Sequence, residues 1–583
     1  MGSETTQVLP WLVLSSVALL LALLIHGRFA PVLLFTAWAA GYFLLGWVNQ
    51  STFLGGYTNP ALVTLLILLL VSLALERSAL LARLSKHVVR GSETASVWRL
   101  SGVAVLLSAF LNNTAVVGAL LGVVSRQQRI AASKLLIPLS YASILGGITT
   151  LVGTSTNLVV SSLATNAGLP PLGMFQFTAV GVPVALLCLV AMAWSSRWLP
   201  RHLPQADTAT QAYFLETQVA LDSPLVGRSI EANGLRQLEG LFLVEILRDG
   251  RLLSPVGPNE VIEARDRLIF TGEVDKVQAL QRFAGLQVFG GAQAQDLLAS
   301  NLMEVVLTQQ SELVNKTLRE VDFRNLFDAG VVGIRRGERR LTGQLGRIKL
   351  KVGDSLLLAV GSDFRQRKNL ERNFHVLSDA PLRPTLQPWE GRVALGGFAA
   401  VIGASALGWV SLLYGLLVLL GVLLATRMLT PGELRRRFPF DLWLIIGSAL
   451  TIAAGLEQSG ASALMAQGIQ QAFGGYGVWG AFVGVYLLTW VLTELITNNA
   501  AAALAFPISL ATARAFGVDP TPFVMVVAYA ASGGFLLPFG YQTHMMVYSA
   551  GRYRMRDYFK TGWPVSLAYA AGVVVLVPLV FPF

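Results

Sequence analysis

Two short clusters of amide and hydroxyl side chains interrupt apolar runs that would otherwise be ordinary membrane segments. Asn112-Asn113-Thr114 divides the run 100–125, and Thr497-Asn498-Asn499 divides 478–512; neither run contains Lys or Arg. Amides and hydroxyls supply both hydrogen-bond donors and oxygen acceptors. Such a tip can meet an anion with its donors and Na⁺ with its oxygens. Two more runs are broken, at Gly153 within 135–165 and at Pro538–Gly540 within 521–550. A break leaves half-helices whose N-termini aim N–H groups and partial positive charge at anions. Neutral donors and helix ends together can hold a dianion without a buried Arg. The plainer readings are packing glue for the tips and kinks for the breaks. Their occurrence in matched pairs weighs against both.

Other candidates carry less. Glu76 and Glu457 are expected at span ends, Glu494 is expected to pin a hairpin arm, and His544 beside the second break reads as a proton sensor or a hydrogen-bonded imidazole. Intramembrane ionisable groups are functional candidates by default. Gly475-Tyr-Gly477-Val-Trp-Gly480 matches a dinucleotide fingerprint only in letters, because it lies in apolar sequence with no preceding βαβ strand. No Walker A, HExxH or triad context is present, so neither ATP-driven transport nor an enzyme is expected.

The elements that must position these clusters follow from composition. Of the 583 residues, 54% are hydrophobic and 13% charged, about half the charge of soluble domains. A membrane crossing takes ~20 apolar residues, so many are available. The net charge of +11 fits cytoplasmic loops of a membrane protein, and no nucleic-acid partner is expected. The lone Cys188 forbids an intrachain disulfide, and the acidic, Lys/Arg-free stretch Met1–Pro10 does not resemble the basic start of a cleavable signal.

Further apolar runs fall near 11–25, 29–48, 60–75, 172–198, 393–407, 410–426, 441–456 and 562–582. Basic residues cluster in 76–99, including Arg83, Lys86 and Arg90, and in 126–134, 427–437 and 552–560. They are absent from the expected loops 49–59, 166–171 and 458–480. The positive-inside rule then puts both termini outside, provided that 100–125 and 478–512 enter the membrane and return.

The two halves repeat. Ser108 and Asn112-Asn113-Thr114 align with Thr493 and Thr497-Asn498-Asn499 at an offset of 385, and Gly153–Asn157 aligns with Gly540–His544 at 387. The reading is a polytopic α-helical membrane protein with inverted repeats, 1–199 and 389–583. Each repeat has a re-entrant hairpin and a broken helix, with the site near the midplane. Between them, the polar region 200–388 is itself duplicated at an offset near 88, giving two small α+β lobes, 212–286 and 297–378, on Pro-containing linkers.

Leu111–Ala115, Gly153–Asn157, Thr493–Ala500 and Phe539–Thr543 resemble motifs of the divalent anion:sodium symporter family. The likeness is strongest to its sodium/sulfate subgroup, whose central loop carries paired TrkA-C lobes. That resemblance implies a Na⁺-coupled symporter of a dianion such as sulfate, working as an elevator-type homodimer in the cell (inner or plasma) membrane. It implies a cytoplasmic insert whose lobes regulate transport and would hold any regulatory ligand. It also implies that Ser108, Asn112, Asn113 and Gly153 coordinate one Na⁺, and Thr493, Ile496, Asn498 and Gly540 a second. Asn113, Thr114, Thr154, Ser155, Asn498, Asn499 and Tyr541 would meet the anion. Family tips read Ser-Asn-Thr and family breaks carry a Pro pair. Here the tips are Asn-Asn-Thr and Thr-Asn-Asn, and neither break has that pair, departures that bear on the choice of anion. The alternatives are a Na⁺/dicarboxylate symporter or, in other classes, a TrkA-C-regulated channel or a membrane receptor.

Overall fold

The structure is a computed structural model. It describes residues 2–26, 29–77, 91–127, 129–202, 214–235, 238, 241–249, 251–253, 256–272, 280, 282–289, 302–308, 311–341, 345–360, 363–364, 367, 370–377 and 386–583. Arg83, Lys86 and Arg90 of the first basic connector, and most of both linkers, lie outside these residues.

The chain is mostly helical, with a central sheet-containing insert. Among the described residues, six segments are long and apolar enough to cross a membrane: Val8–His26, Gln50–Leu75, Thr178–Trp198, Phe440–Gln458, Gly477–Leu495 and Met555–Val580. The divided runs form pairs of helices. Glu93–Ser108 and Asn113–Arg126 flank the first tip, and Gly477–Leu495 and Asn498–Phe516 flank the second. The broken runs form Leu136–Gly147 with Ser155–Asn166, and Thr521–Ala531 with Gln542–Ala550.

Two expected loops contain helices instead. Gln50–Thr58 starts at Asn49, whose side chain accepts from Thr52 N, and Ala461–Phe473 follows the left-handed Gly460. The first is short and the second is rich in Ala and Gln, so neither stands out as an apolar run. Asn59 then caps Pro60–Glu76 through Ala61 N at 2.9 Å and donates to Asn166 Oδ1 at 2.8 Å.

The halves pack on each other. Helix Thr178–Ser195 lies along Met555–Val580, and Pro31–Leu44 and Gln50–Thr58 pack on Phe440–Gln458. Backbone groups away from water need internal partners, and fully buried tyrosines supply several. Tyr141 Oη donates to Phe535 O at 2.7 Å, Tyr529 Oη to Phe177 O at 2.7 Å, and Tyr558 Oη to His544 O at 2.9 Å. The first two cross from one half to the other.

The insert holds two antiparallel five-stranded sheets of one topology. In the first, β1 (Phe214–Val219), β2 (Leu241–Arg248), β3 (Arg251–Leu253), β4 (Arg267–Gly272) and β5 (Leu286–Phe289) lie in the order β3-β2-β4-β1-β5. In the second, β6 (Leu302–Leu307), β7 (Ala329–Arg336), β8 (Arg339–Leu341), β9 (Ser355–Val360) and β10 (Phe374–Val376) lie in the equivalent order β8-β7-β9-β6-β10. The offset of 88 extends to detail. A register shift at Leu243/Glu245 repeats at Val331/Gly333. The ion pair of Arg248 with Asp266, at 2.8 Å, repeats as Arg336 with Asp354 at 2.7 Å. β5 carries the first lobe to Phe289, past the expected boundary at 286.

Candidate functional site

The first tip begins where helix Glu93–Ser108 ends. Asn112 caps the next helix, its side chain accepting from Thr114 N at 3.0 Å. That turn brings Ser108 Oγ to 2.7 Å from Asn113 Oδ1, with both residues buried. The first break folds back onto this turn, and Gly153 is what permits the approach. A Cβ there would lie 2.6 Å from Gly147 O and 2.9 Å from Ser108 O. Gly147 is equally constrained, since its Cβ would lie 2.5 Å from Asn113 Oδ1.

Asn113 Oδ1 is surrounded by oxygens. Ser108 Oγ, Ser143 O and Gly153 O lie 2.7, 3.0 and 3.3 Å away, and turning the amide end for end sets its nitrogen, with two N–H donors, within reach of all three. The assignment of an amide's two ends follows from such neighbours. A cluster of one amide oxygen, one hydroxyl and two carbonyls is also the donor set that suits a hard cation. The pocket can therefore be closed by N–H donors or by a cation between its oxygens.

The second tip repeats the design. Thr493 Oγ1 lies 2.8 Å from Asn498 Oδ1 and 2.5 Å from Ala531 O at the end of helix Thr521–Ala531. Ile496 is extended between the arms and Thr497 precedes the second helix. The second break is looser than the first: a Cβ on Gly540 would be 3.6 Å from Thr493 O, an ordinary contact. Glu494 holds this break, its carboxylate accepting from Leu536 N at 3.1 Å and Leu537 N at 3.3 Å. Among fully buried polar atoms by the breaks, Asn157 Oδ1, Ser532 Oγ and Thr543 Oγ1 have no hydrogen-bond partner among the described residues. Each is a spare oxygen beside the site.

The halves then interlock. Thr114 of the first tip donates to Gln542 Oε1 of the second break at 3.1 Å. Ser155 and Thr156 of the first break donate to Asn499 Oδ1 of the second tip at 3.2 and 3.4 Å. These are equivalent contacts, because Thr114 matches Asn499 in the tip repeat and Ser155 matches Gln542 in the break repeat. Tyr541 Oη donates to Ser532 O at 3.3 Å, closing the second break on itself. The geometry gathers Asn112, Asn113, Thr114, Thr154, Ser155, Asn498, Asn499, Gly540 and Tyr541 from four separate segments.

Participants that escape the sequence reading include Gln542, Ser143 and Thr156. Gln542 was readable from the break repeat, as the partner of Ser155. The others act through a carbonyl and through a hydroxyl one residue past a candidate, and no motif marks them. Of the weaker candidates, Glu76 ends helix Pro60–Glu76, and Glu457 pairs with Arg514 at 2.6 Å. His544 bridges the halves, with Nδ1 2.8 Å from Ser140 Oγ and Nε2 2.9 Å from Gly534 O. A carbonyl facing Nε2 fixes a proton there, and both ring nitrogens are hydrogen-bonded beside the break.

A family described as citrate transporters matches residues 8–528. An uncharacterized transporter of Synechocystis sp. is 28% identical, covering 98% of this chain and 95% of its own. A putative sulfur deprivation response regulator of Chlamydomonas reinhardtii is 30% identical, over 95% of this chain and 98% of its own. Sodium/sulfate cotransporter 1 of the same alga is 28% identical over 64% of this chain and 44% of its own. Paired polar tips and paired breaks in a helical, span-rich chain agree with these matches, and the chain belongs to the citrate-transporter and divalent anion:sodium symporter family of membrane transporters.

Proposed function

We propose that this protein is a secondary Na⁺-coupled symporter of a small divalent oxyanion, most simply sulfate. The observation that carries the reading is the interlock of Thr114 with Gln542 and of Asn499 with Ser155 and Thr156. It brings amides and hydroxyls of both halves around one point, in runs without Lys or Arg. Ser108, Asn113, Gly153 and the Ser143 carbonyl would take one Na⁺. Thr493, Ile496, Asn498, Gly540 and the Ala531 carbonyl would take a second. Asn499 and Gln542, whose oxygens are turned to hydroxyls, would offer their N–H₂ groups to the anion, with Thr114, Thr154, Ser155 and Tyr541 around it. Sulfate is favoured over larger anions by the relatives named as sodium/sulfate cotransporters.

In this reading the hairpins 93–126 and 477–516 enter the membrane and return, and the two halves are inverted copies. The protein works as a homodimer by an elevator movement. The insert is cytoplasmic and consists of two TrkA-C-like lobes, with both termini outside. Na⁺ entry offsets the cost of bringing a dianion into a negative cell, each charge moved being worth ~2.3 kcal/mol per 100 mV. More than two Na⁺ per sulfate would make uptake driven by membrane potential. A Na⁺/dicarboxylate symporter is the second reading, favoured by the family's description as citrate transporters.

The deciding experiment is radiolabelled sulfate uptake into proteoliposomes with Na⁺ or K⁺ outside. Uptake with Na⁺ alone, competed by unlabelled sulfate, supports the proposal. Equal rates in the two salts would end the coupling claim, and succinate uptake insensitive to sulfate would install the second reading.

A further inference from the structure

The second lobe touches the membrane part at one well-built place. The turn between β7 and β8 presents Gly337 and Glu338 to helix Gln542–Ala550 and the loop after it. Gly337 N donates to Ser549 Oγ at 3.1 Å, and the Ser549 hydroxyl donates in turn to Gly353 O. The Glu338 carboxylate takes Arg554 at both oxygens, one contact being 2.6 Å. Val306 and Leu377 of the same lobe belong to the apolar cluster of the membrane helices, not to the lobe's own core.

The approach requires one glycine and leaves little room at the other. A Cβ on Gly337 would lie 2.7 Å from the Tyr548 ring and 2.8 Å from Tyr553 O, and one on Gly353 would lie 3.0 Å from Met545 O. Each has positive φ, +58° and +78°. Backbone conformation alone does not demand glycine there, because the first lobe supplies the control. Its equivalents, 88 residues earlier, are Asp249 with φ 48° and Arg265 with φ 70°, both exposed. The same turns accept an Asp and an Arg where nothing abuts them. The second lobe therefore has a face cut back to backbone at the two points where it meets this helix.

The helix it grips is part of the candidate site. Nine residues at 1.5 Å each span ~13 Å. Its first residue, Gln542, bonds Thr114, and its last turn carries Ser549. We propose that the second lobe is a positioning element of the transport site. Its Gly337–Glu338 turn and Gly353 fix helix Gln542–Ala550, so that Tyr541 and Gln542 keep their place against the first tip. The ion pair orients the contact. Being half exposed, 56% and 39% at the side chains, it adds little strength, and the backbone approach carries the contact.

The proposal rests on the reading of tips and breaks as the ion and anion site, so the test carries a readout that needs no substrate. In the full-length protein, Gly337→Asp and Gly353→Arg give the second lobe the residues of the first. Each should raise amide hydrogen exchange through 541–550 at least fivefold and raise the KM for anion uptake by a similar factor, with Vmax changed less than twofold. Asp249→Gly and Arg265→Gly should change neither. Ser549→Ala, which adds no bulk, should shift both readouts in the same direction by about two- to threefold, and it keeps the test open if the bulkier variants do not fold. Wild-type exchange in 541–550 for folded Gly337→Asp and for Ser549→Ala would overturn the proposal whatever the cargo. A change confined to Vmax would overturn it too, since it would mark a lobe that limits turnover without positioning the site. Faster exchange with no anion uptake in any variant, wild type included, would uphold the positioning contact and count against the functional reading alone.

Discussion

Gly153 and Gly540 hold matching places in the two halves, yet the structure gives them different tolerance for one methyl group. Gly153→Ala would put a Cβ 2.6 Å from Gly147 O and 2.9 Å from both Gly147 Cα and Ser108 O. All three are main-chain atoms, so no side chain can swing aside. Relief needs the break to retreat by roughly half an ångström or more, and overpacking of this kind costs ~1–3 kcal/mol. The retreat draws Gly153 O away from Asn113, so the loss should fall on the proposed Na⁺ pocket. At about 1.4 kcal/mol per decade, the apparent Na⁺ affinity should weaken on the order of tenfold to a hundredfold. Gly540→Ala meets nothing nearer than 3.6 Å and should shift it less than about threefold, within the usual ±0.5 kcal/mol of an unstrained substitution. The assay is the Na⁺ dependence of labelled sulfate uptake in proteoliposomes at matched amounts of folded protein. Equal effects of the two substitutions, or a wild-type Na⁺ dependence for Gly153→Ala, would refute the reasoning.

Asn113→Ala and Asn498→Ala should each abolish flux while lowering thermal stability only by the ~1–3 kcal/mol of a buried polar group left unpaired; wild-type flux from either would reduce the tips to packing elements. Asp354 is fully buried and accepts from Arg336 and from Lys351 N, and Asp354→Ala leaves that backbone N–H without its acceptor, so the stability of the second lobe should fall by ~1–3 kcal/mol, read by hydrogen exchange in 302–377 with the first lobe unchanged. His375 on β10 is partly buried, and that burial pushes its imidazole down to about 4, below the ~6.5 of an unfolded chain. The folded lobe then stays neutral while the unfolded chain takes up a proton. Its stability is flat above about pH 6.5, falls as pH drops toward 4, and is lower by up to ~2 kcal/mol at pH 5; melting of wild type against His375→Gln at pH 7.5 and 5 should show the difference only at the lower pH.

How much of this was legible in the sequence depended on what kind of signal each residue leaves. The tips and breaks stood out because Asn, Thr, Gly and Pro are conspicuous inside apolar runs. The lobe duplication was visible because Ser223–Gly227 and Ala264–Gly272 have counterparts in Ser311–Asn315 and Val352–Gly361 at a spacing near 88. The helices that were missed, Gln50–Thr58 and Ala461–Phe473, are short or only part apolar, and composition does not separate them from loops. The interlock was hidden for a different reason. Thr114 and Gln542 are 428 positions apart, and the choice of partner is made by tertiary packing, which no local pattern encodes. The docking glycines were invisible in the same way: Gly337 and Gly353 look like ordinary turn residues until Tyr548 and Met545 are seen against them.

The two interlocking contacts are built from unlike residues, Thr with Gln on one side and Asn with Ser and Thr on the other. An ancestor with two identical halves would have had two identical latches, and its cargo could have sat either way round. The unlike pairs Thr114/Asn499 and Ser155/Gln542 would give the proposed site a head and a tail. A tetrahedral oxyanion hides such polarity, since all its corners are alike. An elongated anion with two different ends would reveal it by binding in one direction, entering with one end first and leaving with the other.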